Sequence, residues 1–446
     1  MLSDPACAIH PDFKTKGRYF MAITRYATRT YADGIVHAPY VRAGNWVFGT
    51  GLRAIGPDGL LDPVAVHPDR PFNAPPQAQR EAAAIFRDMA EQLGVAGSAM
   101  NKVARLDQYY PSPACVDPYH EARKLALAGQ VAPSTSVIVD RLLNLDASMD
   151  VQVMAATLDS GYGCSIAGAD RLNVPKTSGY APCLLVGDMI FVAGQLARDN
   201  SGNIAAQACV PAGQQWNGTR IKLETDYLVR ERLAPALAAA GSDMSMVLKA
   251  QVYLSHAKDL PAFWQVWSRA FGGRVPPTTV VPARHPAFGS RDATIEVNLI
   301  AVRESAADRV RDIECDVELI AGDMLPARLF DGVLFVAGLM AVQNGGLCSA
   351  AAVPASMPFF HDSAHAQMSD ILAKAGRIFA AAGSSLDQVV RALHFHADLA
   401  QFRGGFMAWD EKLRRQGIPF SAIAVGQDMF APGAGVILDL WGHVPG

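Results

Sequence analysis

The sequence predicts an α+β protein made of three tandem units, each a mixed sheet covered on one face by two helices. Three observations carry this expectation. The chain has 446 residues, half of them apolar, which is material for several packed cores. Three short segments, 38–51, 181–194 and 325–338, answer one another along it. Their phenylalanines, Phe48, Phe191 and Phe335, stand 143 and 144 residues apart, and Pro39, Pro182 and Pro326 keep the same spacing, as do Gly51, Gly194 and Gly338.

The elements of one unit follow in order. Residues 189–193 are a β-branched and aromatic run closed by Gly194, which reads as a strand. The stretch 223–240 has helical apolar periodicity and stops at Gly241. A strand follows over 247–254, then a helix over 259–271 ended by Gly272 and Gly273, then strands over 278–281 and 294–302. The block Ala238-Ala239-Ala240-Gly241-Ser242 recurs as Ala380-Ala381-Ala382-Gly383-Ser384, and the strand 247–254 recurs as 389–396. A looser copy of both lies around Gly97, Ser98 and 103–110. Helices on one sheet face leave the other face to be buried, and closed packing of three copies buries it. Three units are expected: 1–158 with an N-terminal extension, 171–303 and 315–446. The polar or glycine-rich stretches 160–170 and 304–312 read as linkers.

Composition removes several function classes. A formal charge of −3 offers no basic face for a nucleic-acid backbone. No apolar run reaches the roughly 18 residues of a spanning helix, and the N-terminus has no signal-peptide core. The seven cysteines are odd in number, widely spaced and without a C-x-x-C pair, which fits reduced thiols and a cytoplasmic setting. No glycine-rich phosphate loop or serine-nucleophile elbow stands in a persuasive context, and His361 and His365 lack a carboxylate companion. No cofactor and no metal are expected. The partners expected are a small-molecule substrate and, at most, a second copy in a homodimer.

The segment Val186-Gly187-Asp188-Met189-Ile190-Phe191-Val192-Ala193-Gly194-Gln195 resembles the signature strand of the RidA/YjgF family. Ala239-Ala240-Gly241-Ser242, Phe271-Gly272-Gly273, Thr279-Val280-Val281 and Ile295-Glu296-Val297 continue that family's order. The resemblance is strongest over 171–303, good over 315–446 and weaker over 20–158. It implies a chorismate-mutase-like fold. Family members are homotrimers with ligand clefts between subunits, so three fused units imply an intramolecular pseudo-trimer. It also implies hydrolysis of enamines and imines to a ketone and ammonia. In that chemistry an arginine pins the substrate carboxylate, a tyrosine and a backbone carbonyl orient the substrate, and a glutamate acts as general acid/base.

Carried over residue by residue, the tyrosine falls on Tyr180, with His37 and Met324 in the other units. The glutamate falls on Glu296, with Asp150 in the first unit and a place near Asp439 in the third. The arginine is replaced by Ser134, Pro277 and Phe420. Arg141 and Arg284, four residues after Val137 and Val280, are candidate substitutes. His394 and His396 share one strand face and are candidates for acid/base or ligand contacts. The expected catalytic set is therefore Glu296, Tyr180, Asp150, His37 and His394. The expected substrate-binding set is Arg284, Arg141, His396 and Asp439. Tyr109, Tyr253 and Phe395 occupy one repeat position and read as core. The function expected is deamination-type hydrolysis of a small imine- or enamine-like metabolite between units. The missing arginine leaves two alternatives: non-catalytic ligand binding, or another hydrolase or lyase reaction of the chorismatase or cyclic-amide hydrolase kind.

Overall fold

Three tight hairpins start the three large sheets. Gly44 and Gly187 adopt positive φ (54° and 59°) at the first turn position, and the third turn uses Asp331 and Gly332, both at positive φ (49° and 73°). Turns of this hand match the twist of the strands they join. A computed structural model describes residues 23–445 apart from 32–33, 57, 68–71, 129–131, 173, 175–177, 214–218, 285, 289–291 and 414–415. The extension expected before residue 23 lies outside the described residues.

The sheets share one strand order. The first runs Thr24–Tyr26, Tyr40–Ala43, Trp46–Leu52, Asp150–Thr157, Ser98–Tyr110, Ser134–Ile138. The second runs Cys164–Ile166, Cys183–Val186, Met189–Gln195, Ile295–Val302, Val247–Leu254, Thr278–Pro282. The third runs Arg311–Ile313, Ala327–Phe330, Val333–Val336, Val436–His443, Val389–His396, Phe420–Ala424, and gains Arg141–Leu142 at its edge. The fifth and sixth strands of each sheet are parallel. Two segments expected to be linkers carry edge strands instead: Cys164–Ile166 opens the second sheet, and Arg311–Ile313 opens the third. Their unpaired backbone groups find partners on the neighbouring hairpin strand, which sequence polarity does not reveal.

Alternate side chains of each strand face opposite ways. On the outer side, the helices Gln77–Val95 and Val116–Ala126 pack on the first sheet. Ser363–Ala382 and Phe402–Leu413 cover the third in the same way. The second sheet is covered by Leu260–Ala270 and by a helix from Thr219 to Ala239 that widens into a π turn over Leu228–Leu233. The inner faces of all three sheets meet in common cores. One holds Phe48, Phe191, Phe335 and Trp441. The other holds Tyr109, Tyr253 and Phe395, whose ring centroids form a triangle of 6.5, 5.8 and 6.3 Å.

Three contacts join the sheets pairwise. Asn298 of the second sheet donates to Thr135 of the first at 3.0 Å. Thr279 of the second donates to Asp439 of the third at 2.8 Å. Ser421 of the third donates to Asp150 of the first at 2.9 Å. Thr135, Thr279 and Ser421 hold the same register position in their parallel pairs. Among the described residues no helix is long and apolar enough to cross a membrane.

Candidate active site

Strand register defines which residues are equivalent. Tyr253 lies opposite Glu296, Tyr109 opposite Asp150 and Phe395 opposite Ile437. The third sheet therefore carries Ile437 at the glutamate position. Asp439 stands two residues on, where the other sheets have Asn298 and Gln152. Likewise Ser134, Thr278 and Phe420 share one position, so the residue replacing the arginine in the second sheet is Thr278 rather than Pro277.

Glu296 faces the boundary between the first and second sheets. Its carboxyl lies over Gly194, where a Cβ would collide with Oε1, and beside the Thr135 methyl. Oε2 is buried and without a hydrogen-bond partner. No cation among the described residues forms an ion pair with it. Burial, with a smaller push from Asp107, raises this carboxyl to about 8. It is thus mainly protonated at neutral pH, the state a general acid needs. Tyr180 joins the same boundary, its hydroxyl pushed up by burial and by Glu296.

A residue not anticipated from the sequence completes this cluster. Arg123, on the helix Val116–Ala126, is fully buried. It donates through one Nη to Ser134 Oγ at 2.8 Å and through the other to the Ser178 carbonyl at 2.7 Å. Its guanidinium lies 5.3 Å from the Tyr180 ring and 5.5 Å from the Tyr119 ring. Nε has no hydrogen-bond partner, and no carboxylate among the described residues pairs with the cation. Its neighbour Ser134 occupies the position where the family arginine is expected, and Arg123 reaches it from a helix.

The equivalent helix positions carry Trp267 and Trp409. Trp267 Nε1 bonds Thr278 Oγ1 at 3.3 Å, as Arg123 bonds Ser134. A repeat comparison on helix residues carries the signal: Arg123 lies 144 residues before Trp267 and Trp409 lies 142 after it, with only the first copy cationic.

The boundary between the third and first sheets holds His37 and Asp150 but is filled. His37 Nε2 sits 3.0 Å from the Thr50 carbonyl, so it is the protonated nitrogen, and Nδ1 accepts from the Tyr31 hydroxyl at 3.2 Å. Burial and Arg53 lower this imidazole to about 3, so it stays neutral. Its ring packs on Phe420 at 4.8 Å, and the Phe420 carbonyl abuts Gly51. Asp150 is raised by burial to about 6 while Arg53, Ser421 and Gln152 oppose the rise. Oδ1 accepts from Ser421 and Gln152, and Oδ2 lies 3.6 Å from Arg53 Nε.

Five expected site residues are placed elsewhere. Asp439 is part of a buried ionic layer on the inner face, bound by Lys249 at 2.6 Å, Arg391 at 2.6 Å, Gln251 at 2.8 Å and Thr279 at 2.8 Å. Lys249 and Arg391 hold its carboxyl well below the usual range despite burial. All its acceptor capacity is spent on the protein, so it has none for a substrate. His394 and His396 do share a face, but it is the helix-covered one. His394 stacks on Trp409 at 5.8 Å, and His396 lies 5.9 Å from Phe402. Arg141 and Arg284 lie on the surface, 63% and 65% exposed, both paired with Asp140.

The middle of the chain is similar to known proteins. Residues 172–303 match the family model described as Endoribonuclease L-PSP. A RutC family protein of Saccharolobus solfataricus is 32% identical over 131 residues, which is 29% of this chain and 91% of that protein. A RutC family protein of Pyrococcus abyssi is 32% identical over 134 residues, 30% of this chain and 93% of that protein. The chain belongs to this family, the RidA/YjgF group. Similar solved structures include RidA from an Antarctic Psychrobacter (17% identity, 31% of this chain, 98% of that chain, TM-score 0.25). A chorismatase is similar over a longer stretch (13% identity, 62% of this chain, 80% of that chain, TM-score 0.40).

Proposed function

We propose that the chain is a fused pseudo-trimer of three RidA-like units with one working cleft, between the first and second. There it hydrolyses a small imine- or enamine-bearing carboxylic acid to a ketone and ammonia. One observation carries the reading: Arg123 is a buried guanidinium without an acidic partner among the described residues, set beside Tyr180 at the boundary that Glu296 faces. A buried cation without a counter-ion is costly unless a ligand supplies the anion, and the guanidinium fork suits a carboxylate.

In this reading Arg123 holds the carboxylate and Tyr180 packs against the substrate. Glu296, protonated at neutral pH, gives its proton to the imine nitrogen. The resulting carboxylate takes a proton from the attacking water, whose oxygen bonds to the imine carbon. The carbinolamine then collapses: its nitrogen leaves as ammonia with the proton returned by Glu296, and its hydroxyl proton passes back to the carboxylate. The other two boundaries serve as scaffold, one closed by the Asp439 ionic layer and the other by His37 and Phe420.

The test generates 2-imino acids in place with an amino acid oxidase and follows release of the 2-oxo acid. The protein is expected to accelerate release over the uncatalysed rate, and Glu296→Gln is expected to cut turnover by about 10²–10⁴-fold. Undiminished turnover in Glu296→Gln removes that residue from the mechanism.

A further inference from the structure

Behind Arg123 lies a group of side chains that the proposed hydrolysis does not use. The outer face of the first sheet presents Gln108, Tyr110, Ser134 and Ser136, and the helix Val116–Ala126 lays Tyr119 and Arg123 over them. Gln108 Oε1 accepts from Ser134 at 2.7 Å and from Ser136 at 3.1 Å. Those two bonds fix the amide and turn Nε2 into a donor. Gln108 Nε2, Tyr110 Oη, Tyr119 Oη and Arg123 Nε are all buried, and none has a hydrogen-bond partner among the described residues. Arg123 lies near the Tyr119 hydroxyl and Ser136 near that of Tyr110, but neither pair meets hydrogen-bond geometry.

The second sheet shows that the fold does not require this polarity. There the equivalent places hold Val252, Leu254, Phe263, Trp267 and Val280, an apolar core in which the Trp267 N–H is satisfied by Thr278. Each buried donor left without an acceptor is destabilising. Three of them gathered around a buried cation whose own Nε is unpartnered among the described residues are a liability that an apolar core avoids.

We infer that this buried polar cluster forms a second subsite of the cleft, and that it receives an oxygen acceptor at the far end of the ligand. The ligand class is then a carboxylic acid whose side chain ends in a carboxylate, amide or other carbonyl, rather than an aliphatic one. Donors dominate the lining, so acceptor oxygens complement it, and a site built for hydrogen bonds discriminates strongly against an analogue that lacks them. The inference rests on the proposed cleft for the position of the first carboxylate.

The test is binding, which needs no turnover. 2-Oxoglutarate, 2-oxoglutaramate and 2-oxohexanoate are titrated calorimetrically into the full chain. At least one polar probe is expected to bind about tenfold or more tightly than 2-oxohexanoate, and the carboxylate and amide probes separate the two sources of the acceptor. Tyr119→Phe and Gln108→Leu are expected to erase the preference while leaving 2-oxohexanoate affinity within about twofold. Tyr119→Phe keeps the ring, so it guards against loss of folding; without ligand its Tm is expected to hold or rise, because an unpartnered hydroxyl has gone. Equal affinity for the three probes, no binding of any, or an intact preference in both variants overturns the inference. A preference that persists without any imine turnover leaves the subsite standing and removes the proposed reaction.

Discussion

Arg123 donates to Ser134 Oγ at 2.8 Å, and Trp267 makes the matching contact with Thr278 in the second sheet. The same helix position therefore serves as core in one copy and as an uncompensated cation in another. Arg123→Trp copies the second unit's solution and is expected to fold. KM for a 2-imino acid should rise at least about tenfold, the signature of lost substrate anchoring. An unchanged KM assigns Arg123 to structure alone.

Glu296 gives a pH profile with a defined sign. Its carboxyl is raised to about 8, so the protonated form needed to donate is lost as pH rises through that value. Turnover is expected to fall above about pH 8. Its contribution to stability follows the same direction: present in full below the ordinary carboxyl range and lost as pH rises through about 8. Glu296→Gln stays neutral, so denaturant unfolding should show it losing less stability than the parent between about pH 5 and about pH 9.

Asp439 anchors the inner ionic layer. Asp439→Asn leaves Lys249 and Arg391 buried around a neutral amide, and a broken buried pair costs about 3–5 kcal/mol. Chemical denaturation is expected to show a loss of that size. A loss below about 1 kcal/mol contradicts the structural role given to the layer.

His394 and His396 carry a different expectation from the one their sequence pattern raised. Burial lowers both imidazoles, His396 to about 4, so the native state holds them neutral. Their contribution is present above the ordinary histidine range and is lost as pH falls toward about 4. His394→Val and His396→Leu, the residue types of Val252 and Leu254, should flatten that acid loss and leave turnover unchanged. A large loss of turnover in either variant restores a catalytic role.

The parts of the fold legible in the sequence were those written by strand periodicity and glycine punctuation. The hairpins at Gly44, Gly187 and Gly332 and the strands they join follow from β-branched runs and turn residues. Tyr180 and Glu296 lie beside and within those runs, and the structure brings them to one boundary. Asp439 was misjudged because a two-residue slip keeps a side chain on the same sheet face but moves it roughly 7 Å along the strand. His394 and His396 were placed together correctly, yet both faces of their strand are buried, so polarity gave no clue to which face was which. Arg123 escaped notice because it lies on a helix, where apolar periodicity marks it only as one more inward position. Its significance comes from what stands around it in space: Ser134, the Ser178 carbonyl, Tyr119 and Tyr180, and no carboxylate among the described residues.

The central claim is that a single cleft, between the first and second units, takes the ligand through Arg123. Calorimetric titration of the full chain with a stable 2-oxo acid tests it most directly. One ligand is expected to bind per chain, at least about tenfold more weakly in Arg123→Trp. Three ligands per chain, or undiminished binding in that variant, contradicts it.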